Sequence, residues 1–540
     1  MIPGVFVRMD AFPVNANGKT DRKSIERPDL SMLTSEYEEP VGETEEALCN
    51  AMQEILNIKK IGRYDNFFEL GGNSLNAVAL CSVCGIEGIA PQIVMIGQTP
   101  EKIARLISEK NFYPKPQLMV SDELKKVYPL SISQKYQYEV CRRKGKTIDC
   151  IDVVYFFRLN EDIDIAKLKK SVEDVINAHV IYRSHIDIDN GQLLTDQTAY
   201  KVEDLCLKES EFESWRKSKY TRVRNLKTDP LFEAKMLHID NGSTYLFMCL
   251  CHLAYDGKSL KNVFEEISSR YIETPVEAEQ ASVFDLIDQE CRIREDKGLI
   301  EKAQQVFASN YEGLKDPALF DTEKTYSTGV SIRMLEKESE TEIDDFLKNH
   351  GISILTLFQA AAEITIKEMF KADDFCYMNV HDGRSHQLLD ASHGVFARSV
   401  FMRSGAGKYD STAEYFRRIE EQYQRLVYYD VLDTFETVAK HPGIMSGITF
   451  NFRDMQGIML RLGKKMLLSD FLDEINTVYK PFTDFDFIVN RLPKGYGYLV
   501  TVASVKVSGD FAEDFIKCFA GTILGILHGK NAEGGNRGEE

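Results

Sequence analysis

His252 lies in a seven-residue run, Cys251-His252-Leu253-Ala254-Tyr255-Asp256-Gly257, in which an imidazole is followed four residues on by a carboxylate and then a glycine. An imidazole with an ordinary pKa of about 6.5 can accept or position a proton near neutral pH. Backbone amides at a helix-capping turn can stabilise a developing negative charge, with Gly257 as the candidate. Cys251 adds a thiol, but nothing adjacent in sequence would lower its pKa enough to make it a nucleophile. A second candidate is Ser74, which follows Leu70-Gly71-Gly72-Asn73. The glycine pair can expose this serine at the head of the next helix, where amide groups favour a phosphate.

Elements on either side must hold these residues. Tyr245 to Leu250 is short, continuous and apolar and is bounded by Asn241-Gly242-Ser243, so it predicts a buried strand. Leu260, Val263, Phe264 and Ile267 then recur at helical spacing, which places His252 on a strand-to-helix turn. Before Ser74, residues Ala47, Leu48, Ala51, Met52, Ile55 and Leu56 mark one helix face, with Thr44 expected as N-cap and Glu45 and Glu46 in the first turn. Ala77, Val78 and Leu80 mark the next helix, and Thr99-Pro100-Glu101 opens another through Ile103, Leu106 and Ile107. Tyr113-Pro114-Lys115-Pro116 suits no helix interior, so residues 111–126 read as a flexible linker. Alternating strands and helices over the remainder predict an α/β architecture, and residues 529–540 a disordered tail.

At 540 residues the chain has room for roughly three to four units at about 150 residues each. The net charge of −18 argues against a nucleic-acid or anionic-membrane surface, where a basic patch should dominate. No stretch approaches the ~18 apolar residues of a membrane span and no basic-then-apolar leader opens the chain, so a cytoplasmic protein without membrane contact is expected. The 11 cysteines are odd in number and show no disulfide framework. Cys81 and Cys84 form a lone C-x-x-C that reads as small core residues, and no metal site is expected.

Residues 251–257 resemble the His-His-x-x-x-Asp-Gly motif of condensation domains in nonribosomal peptide synthetases, with Cys251 in place of the first histidine. Further motifs follow in the family's order. Tyr128-Pro129-Leu130-Ser131-Ile132-Ser133-Gln134 is similar to its opening motif, and His179-Val180-Ile181-Tyr182-Arg183-Ser184 to its second. Gly394-Val395-Phe396 with Arg403 is similar to Gly-x-Phe-x-Asn-x-x-x-x-Arg, with Arg398 replacing the asparagine. Tyr429-Asp430-Val431-Leu432-Asp433 departs from a loop that usually begins His-Gln-Asp, and Phe450-Asn451-Phe452 resembles a late strand. The resemblance implies a condensation domain over residues 127–528, with two α/β lobes (about 127–300 and 301–528), each similar to chloramphenicol acetyltransferase, around a tunnel. It implies an amide-bond-forming acyltransferase with His252 in the active site. Asp256 would shape that site through a salt bridge, for which Arg384 is the candidate, and Cys251 would be a supporting residue.

Residues 36–110 resemble a peptidyl carrier domain, a small helical bundle whose Leu-Gly-Gly-x-Ser-Leu serine, here Ser74, receives 4′-phosphopantetheine from a phosphopantetheinyl transferase. Asn17-Gly18-Lys19-Thr20-Asp21-Arg22 resembles the end of an adenylation domain, so residues 1–30 read as its remnant. Met1 then reads as an internal methionine of a longer synthetase or the start of a truncated frame. Together these imply the carrier-plus-condensation portion of a synthetase, working with other modules or an acceptor carrier protein on aminoacyl or peptidyl thioesters. One alternative is a catalytically impaired fragment that only docks carriers, motivated by Cys251, Arg398 and the Tyr429 loop. The other is an epimerisation domain, whose Glu-Gly-His-Gly-Arg-Glu falls on Val380-His381-Asp382-Gly383-Arg384-Ser385; Val380 cannot exchange a proton.

Overall fold

The structure, a computed structural model, describes residues 37–529 with gaps, the longest at 144–151, 321–328 and 468–482. The adenylation-like residues 1–30, Asn73, and residues 530–540 of the expected tail lie outside the described residues. The chain divides into two compact units, Met1–Lys115 and Pro116–Glu540.

The first unit contains helices α1 (Gly42–Leu56), α2 (Ser74–Val83), α3 (Pro91–Gly97) and α4 (Pro100–Ser108). Leu48, Met52, Phe67, Leu70, Ala77, Leu80, Ile93, Val94 and Ile103 form its core. Thr44 is not the N-cap of α1, which begins two residues earlier, after Val41. Glu45 replaces the expected cap by turning inward. Its Oε2 accepts the Val41 N–H at 2.7 Å, and Arg63 holds both its oxygens at 2.8 and 2.9 Å. Burial would raise the Glu45 pKa, but these partners outweigh it and leave the carboxyl below its ordinary value. Ahead of α2 the glycine pair has two separate reasons. Gly71 has φ +93°, and a Cβ on Gly72 would lie 2.5–2.6 Å from the backbone and ring of Phe67. Ser74 is the first residue of α2. Cys81 and Cys84 lie one turn apart on or just after α2, and burial pushes the Cys81 thiol up to about 12, as befits core packing.

The second unit opens with residues 116–126, which run along a later helix, α9 (Val283–Glu295). Gln289 donates to the Pro116 carbonyl, Arg292 to the Gln117 carbonyl, and the Ser121 N–H to Asp285. Of the expected linker, this part is therefore anchored by polar side chains that no turn signal could announce. Strand β1 (Val127–Pro129) and helix α5 (Ile132–Arg143) lead into β2 (Asp152–Leu159) and α6 (Ile165–Ala178). Then come β3 (His185–Asp187), β4 (Gln192–Leu194), β5 (Glu203–Leu207), α7 (Glu209–Tyr220), β6 (Phe232–Ile239), β7 (Thr244–Cys251) and α8 (Gly257–Ile272). The sheet order is β2-β7-β6-β5. Alternate residues feed opposite faces, Phe157, Met248 and Leu250 joining the core of α6 and α8 while Phe156, Phe247 and Cys249 pack against Phe212 and Trp215 of α7. Burial on both faces explains why β7 reads as an unbroken apolar run.

Helix α10 (Lys297–Tyr311) leads to a second sheet. Its strands are β8 (Gly329–Met334), β9 (Cys376–His381), β10 (Arg398–Arg403), β11 (Ile448–Asp454), β14 (Phe485–Arg491) and β15 (Tyr498–Ser504), ordered β10-β9-β11-β14-β15-β8. The parallel pairs are β9 with β11 and β11 with β14. Helices α11 (Ser339–His350), α12 (Ile354–Phe370), α13 (Thr412–Tyr428) and α14 (Gly509–Leu527) accompany it. Ser353 caps α12 through the Thr356 N–H at 3.0 Å. A small hairpin, β12 (Leu460–Leu462) with β13 (Lys465–Leu467), sends Leu460, Leu462 and Leu467 into the core shared with α8, and Leu389 and Phe396 do the same from a strap at residues 388–397. No helix among the described residues is long and apolar enough to cross a membrane.

Gly72→Ala should destabilise the first unit by ~1–3 kcal/mol, the usual result of forcing extra volume into packed structure. Hydrogen exchange of residues 42–108 in the full chain reads this out, with the second unit unchanged.

Candidate active site

Strand β7 ends at Cys251, and the chain turns through His252 to Tyr255 before Asp256 caps α8. Gln134, itself buried, fixes the turn by donating to the Leu253 carbonyl at 3.0 Å and accepting the Ser131 N–H, also at 3.0 Å. His252 is partly buried and its ring tilts over Tyr255 at 5.0 Å. Burial lowers its pKa below the ordinary histidine value, against smaller opposing pulls from its own backbone carbonyl and from Asp256; the Arg453 charge lowers it further. The ring is therefore neutral near neutral pH. Its buried Nδ1 meets no hydrogen-bond partner among the described residues, so the neutral ring keeps a nitrogen lone pair with no contact fixing which nitrogen carries it.

Asp256 is buried and accepts five hydrogen bonds. Its Oδ1 takes the Ser259 N–H at 2.8 Å and Arg384 Nη2 at 3.2 Å; its Oδ2 takes the Phe396 N–H at 2.8 Å, the Ala397 N–H at 3.1 Å and Arg384 Nη1 at 3.1 Å. Burial alone would raise its pKa, but the Arg384 charge and these donors hold it below the ordinary aspartate value. The Arg384 side chain is 1% exposed. It also donates to Ser259 Oγ at 2.8 Å and the Leu389 carbonyl at 3.1 Å, and its guanidinium lies 4.1 Å from the Phe396 ring centroid. Gly383 precedes it with φ +69°, and a Cβ there would lie 1.8 Å from the Phe396 carbonyl oxygen. Only glycine lets the Arg384 loop reach this strap. Gly257, the first residue of α8, is exposed, and a Cβ on it would meet nothing within 4 Å.

Cys251 is 0% exposed, and burial with nearby Asp152 pushes its thiol up to about 12, which removes it as a nucleophile near neutral pH. Across the sheet from it, Asp152 pairs with buried Arg224 at 2.8 Å, and Arg224 also contacts Cys249 Sγ at 3.1 Å. Sequence reasoning missed this pair, whose members are separated by five elements. It also missed the partners of Arg398, which lies beside Asp430 (2.8 Å) and Glu290 (3.5 Å), while Asp430 also meets His381 Nε2 at 2.9 Å. Val380, on β9, is only partly buried and brings no titratable group.

Arg384→Ala should cost ~3–5 kcal/mol by leaving Asp256 charged and unpaired, whereas the double change Arg384→Met with Asp256→Leu should cost less. Because the folded-state pKa of Asp256 is depressed, its contribution is present above the unfolded pKa and is lost as pH falls through the folded one. Denaturant titrations across acid pH should show this loss in the native chain and a flatter profile in Asp256→Asn.

Comparison with known proteins joins this geometry to a family. The family described as "Condensation domain" matches residues 124–452. The chain is 25% identical over 437 residues to bacitracin synthase 3 of Bacillus licheniformis, covering 78% of this chain and 7% of that protein. It is also 25% identical over 483 residues to gramicidin S synthase 2 of Brevibacillus brevis, covering 84% of this chain and 10% of that protein. The chain thus spans a small fraction of the length of these relatives. Among solved structures, the condensation domain from the Monacolin K polyketide synthase superposes with a TM-score of 0.61 at 13% identity, covering 75% of this chain and 98% of that one. The epimerization domain from the third module of tyrocidine synthetase B gives 0.60 at 14%, covering 77% and 100%. The X-domain of teicoplanin biosynthesis, solved in complex with OxyB, gives 0.62 at 14%, covering 77% and 96%. With its two-lobed fold and an Asp256-capped turn that presents His252, the chain belongs to the condensation-domain family, the amide-bond-forming acyltransferases of nonribosomal peptide synthetases.

Proposed function

We propose that this chain is the carrier-plus-condensation portion of a nonribosomal peptide synthetase, transferring an aminoacyl or peptidyl group from a thioester to an acceptor amine in the second unit. The observation that carries the reading is a neutral His252 on a turn locked by Asp256, Arg384 and Gln134. As the amine attacks, its nitrogen becomes acidic and the neutral His252 imidazole accepts or orients the departing proton. The thiolate leaves as the amide forms, so the proton taken by His252 can return to sulfur, and no net change in the enzyme is required. Gly257 opens onto free space at the head of α8, which suits a substrate passage beside the histidine.

Ser74 is the attachment point for 4′-phosphopantetheine in this reading. The fit rests on its place as first residue of the ten-residue helix α2, behind the Gly71-Gly72 turn, since a helix N-terminus favours a phosphate. When attached, the arm supplies the thioester-bound acyl group. A phosphopantetheinyl transferase would act on Ser74, and another module, a carrier protein or a free nucleophile would supply the acceptor.

A second reading, a docking platform, is favoured by Cys251, which takes the first motif histidine's place with a group that is neither basic nor reactive. Epimerisation is disfavoured by Val380, which cannot remove a proton.

Intact-protein mass spectrometry on Ser74-loaded chain, offered an amine-bearing acceptor carrier, separates these readings. Transfer should vanish in Ser74→Ala and fall by roughly 10²- to 10⁴-fold in His252→Ala. Its acid limb should lie below the ordinary histidine pKa of 6.5, since His252 must be protonated to lose activity. Loading without transfer, unchanged by His252→Ala, would favour docking; failure to load Ser74 would sink the carrier assignment.

A further inference from the structure

Away from the His252 turn, one buried group of metal-type ligands stands out among the described residues: His179, Glu266 and His393. His179 closes α6, Glu266 lies on α8, and His393 lies on the strap immediately before Gly394. The two imidazoles stack face to face, their centroids 3.6 Å apart at 18°. Both Nε2 atoms point at Glu266 Oε2, His179 from 2.7 Å and His393 from 3.3 Å. His179 Nδ1 meets Glu279 at 2.9 Å, and the Tyr182 hydroxyl lies 2.8 Å from His393 Nδ1. The His393 N–H donates to Glu279 at 3.0 Å, and Arg270 holds the other Glu266 oxygen at 2.5 and 2.8 Å.

This geometry fits a proton better than a metal. An ion bound at about 2.0–2.1 Å must lie near the plane of each ligating ring, and two nearly parallel rings stacked this closely cannot both satisfy that. Charge accounting agrees. Burial opposes protonation of His179, but Glu266 and Glu279 prevail and raise its pKa to about 9. His393 is held below its ordinary value by burial and by the neighbouring His179 charge. Arg270 and protonated His179 then balance the two carboxylates. Neutral His393 accepts from Tyr182 and donates to Glu266, so every ring nitrogen is satisfied.

The cluster bears on the active site through the strap. Beyond His393, Gly394 exchanges hydrogen bonds with Ser259 Oγ at 2.5 and 3.2 Å, and the next amides, Phe396 and Ala397, bind Asp256. The strap is thus fixed to α8 at two places, Glu266 and the Asp256–Ser259 turn, roughly 10–15 Å apart at 1.5 Å per residue. We propose that His179 and His393 are positioning residues for acyl transfer, their stacked pair clamped between Glu266 and Glu279 holding the strap so that its amides stay on Asp256 and the His252 turn keeps its shape. The proposal rests on the condensation reading above.

The sign of the pH effect follows. A raised pKa on His179 gives a stabilisation complete below its unfolded value and lost as pH rises through about 9. In the full, Ser74-loaded chain, kcat should fall through that range, and His179→Gln should remove the limb. That variant should also lower kcat near neutral pH by roughly ten- to a hundredfold, the scale of a small misplacement, with little change in KM. His393→Gln, which can still accept from Tyr182 and donate to Glu266, should lose less than His393→Ala. Hydrogen exchange of a peptide spanning 392–400 supplies a reading independent of activity: it should quicken in His179→Gln and in the native chain above about pH 9, after correction for intrinsic rates. An unaltered kcat and pH profile in His179→Gln, strap amides that exchange no faster, or tight stoichiometric binding of zinc that His179→Gln abolishes would each overturn the proposal. If the native chain transfers nothing, the condensation reading fails by itself, and the exchange data still decide the strap.

Discussion

Burying the carboxylate of Asp256 is the constraint from which the rest of the site follows. Removing such an ion from water costs several kcal/mol, which only close and well-directed donors can offset. The donors come from the first turn of α8, the Arg384 loop after β9 and the strap leading into β10. Those segments span both lobes, so the turn carrying His252 acquires its shape only when the lobes are joined. Gly383 shows how little slack remains: its missing Cβ makes room for the Phe396 carbonyl, one residue before the amide that completes the Asp256 shell.

The departures from the family's motifs look different once their neighbours are known. Arg398 stands where an asparagine is usual, and an added cation, only 11% exposed, would be costly alone. It lies instead between Asp430, in the altered Tyr429 loop, and Glu290 on α9. Burial raises the Glu290 pKa, and the nearby Arg398 charge opposes that rise. Two of the three features that suggest decay in sequence are therefore in contact, as expected of a compensating pair. Cys251 is likewise built in, a small thiol in the core beside the fully buried Arg224–Asp152 pair.

What could be read in the sequence was what local pattern controls. The apolar run of β7 and the face of α8 follow from periodicity, and β7 extends one residue beyond the expected strand at each end. Thr44 misled because an inward Glu45 with a distant Arg63 outcompeted a hydroxyl cap, and no local rule sees that partner. Arg384 could be paired with Asp256 only through resemblance, since nothing local in either residue's surroundings names the other. The His179–His393 stack was invisible for the same reason: His179 reads as part of a motif, His393 as part of none, and their contact exists only after α6, α8 and the strap assemble.

The same capping interaction limits how the site can work. A free helix N-terminus carries partial positive charge and could stabilise an oxyanion. At α8 that capacity is already engaged, because Asp256 takes the Ser259 N–H and sets a full negative charge at the helix end. Arg384 answers the charge, but at 1% exposure its guanidinium faces Asp256, Ser259 and backbone carbonyls, not open space. In the proposed reaction the Gly257 amide acts beside that negative charge, which leaves a larger share to His252 and to the holding of both reactants beside it. Proximity can supply that when the reacting atoms are held in line. It also makes turnover sensitive to small displacements of the His252 turn, which is why a shell of buried polar contacts around Asp256 is worth its cost in desolvation.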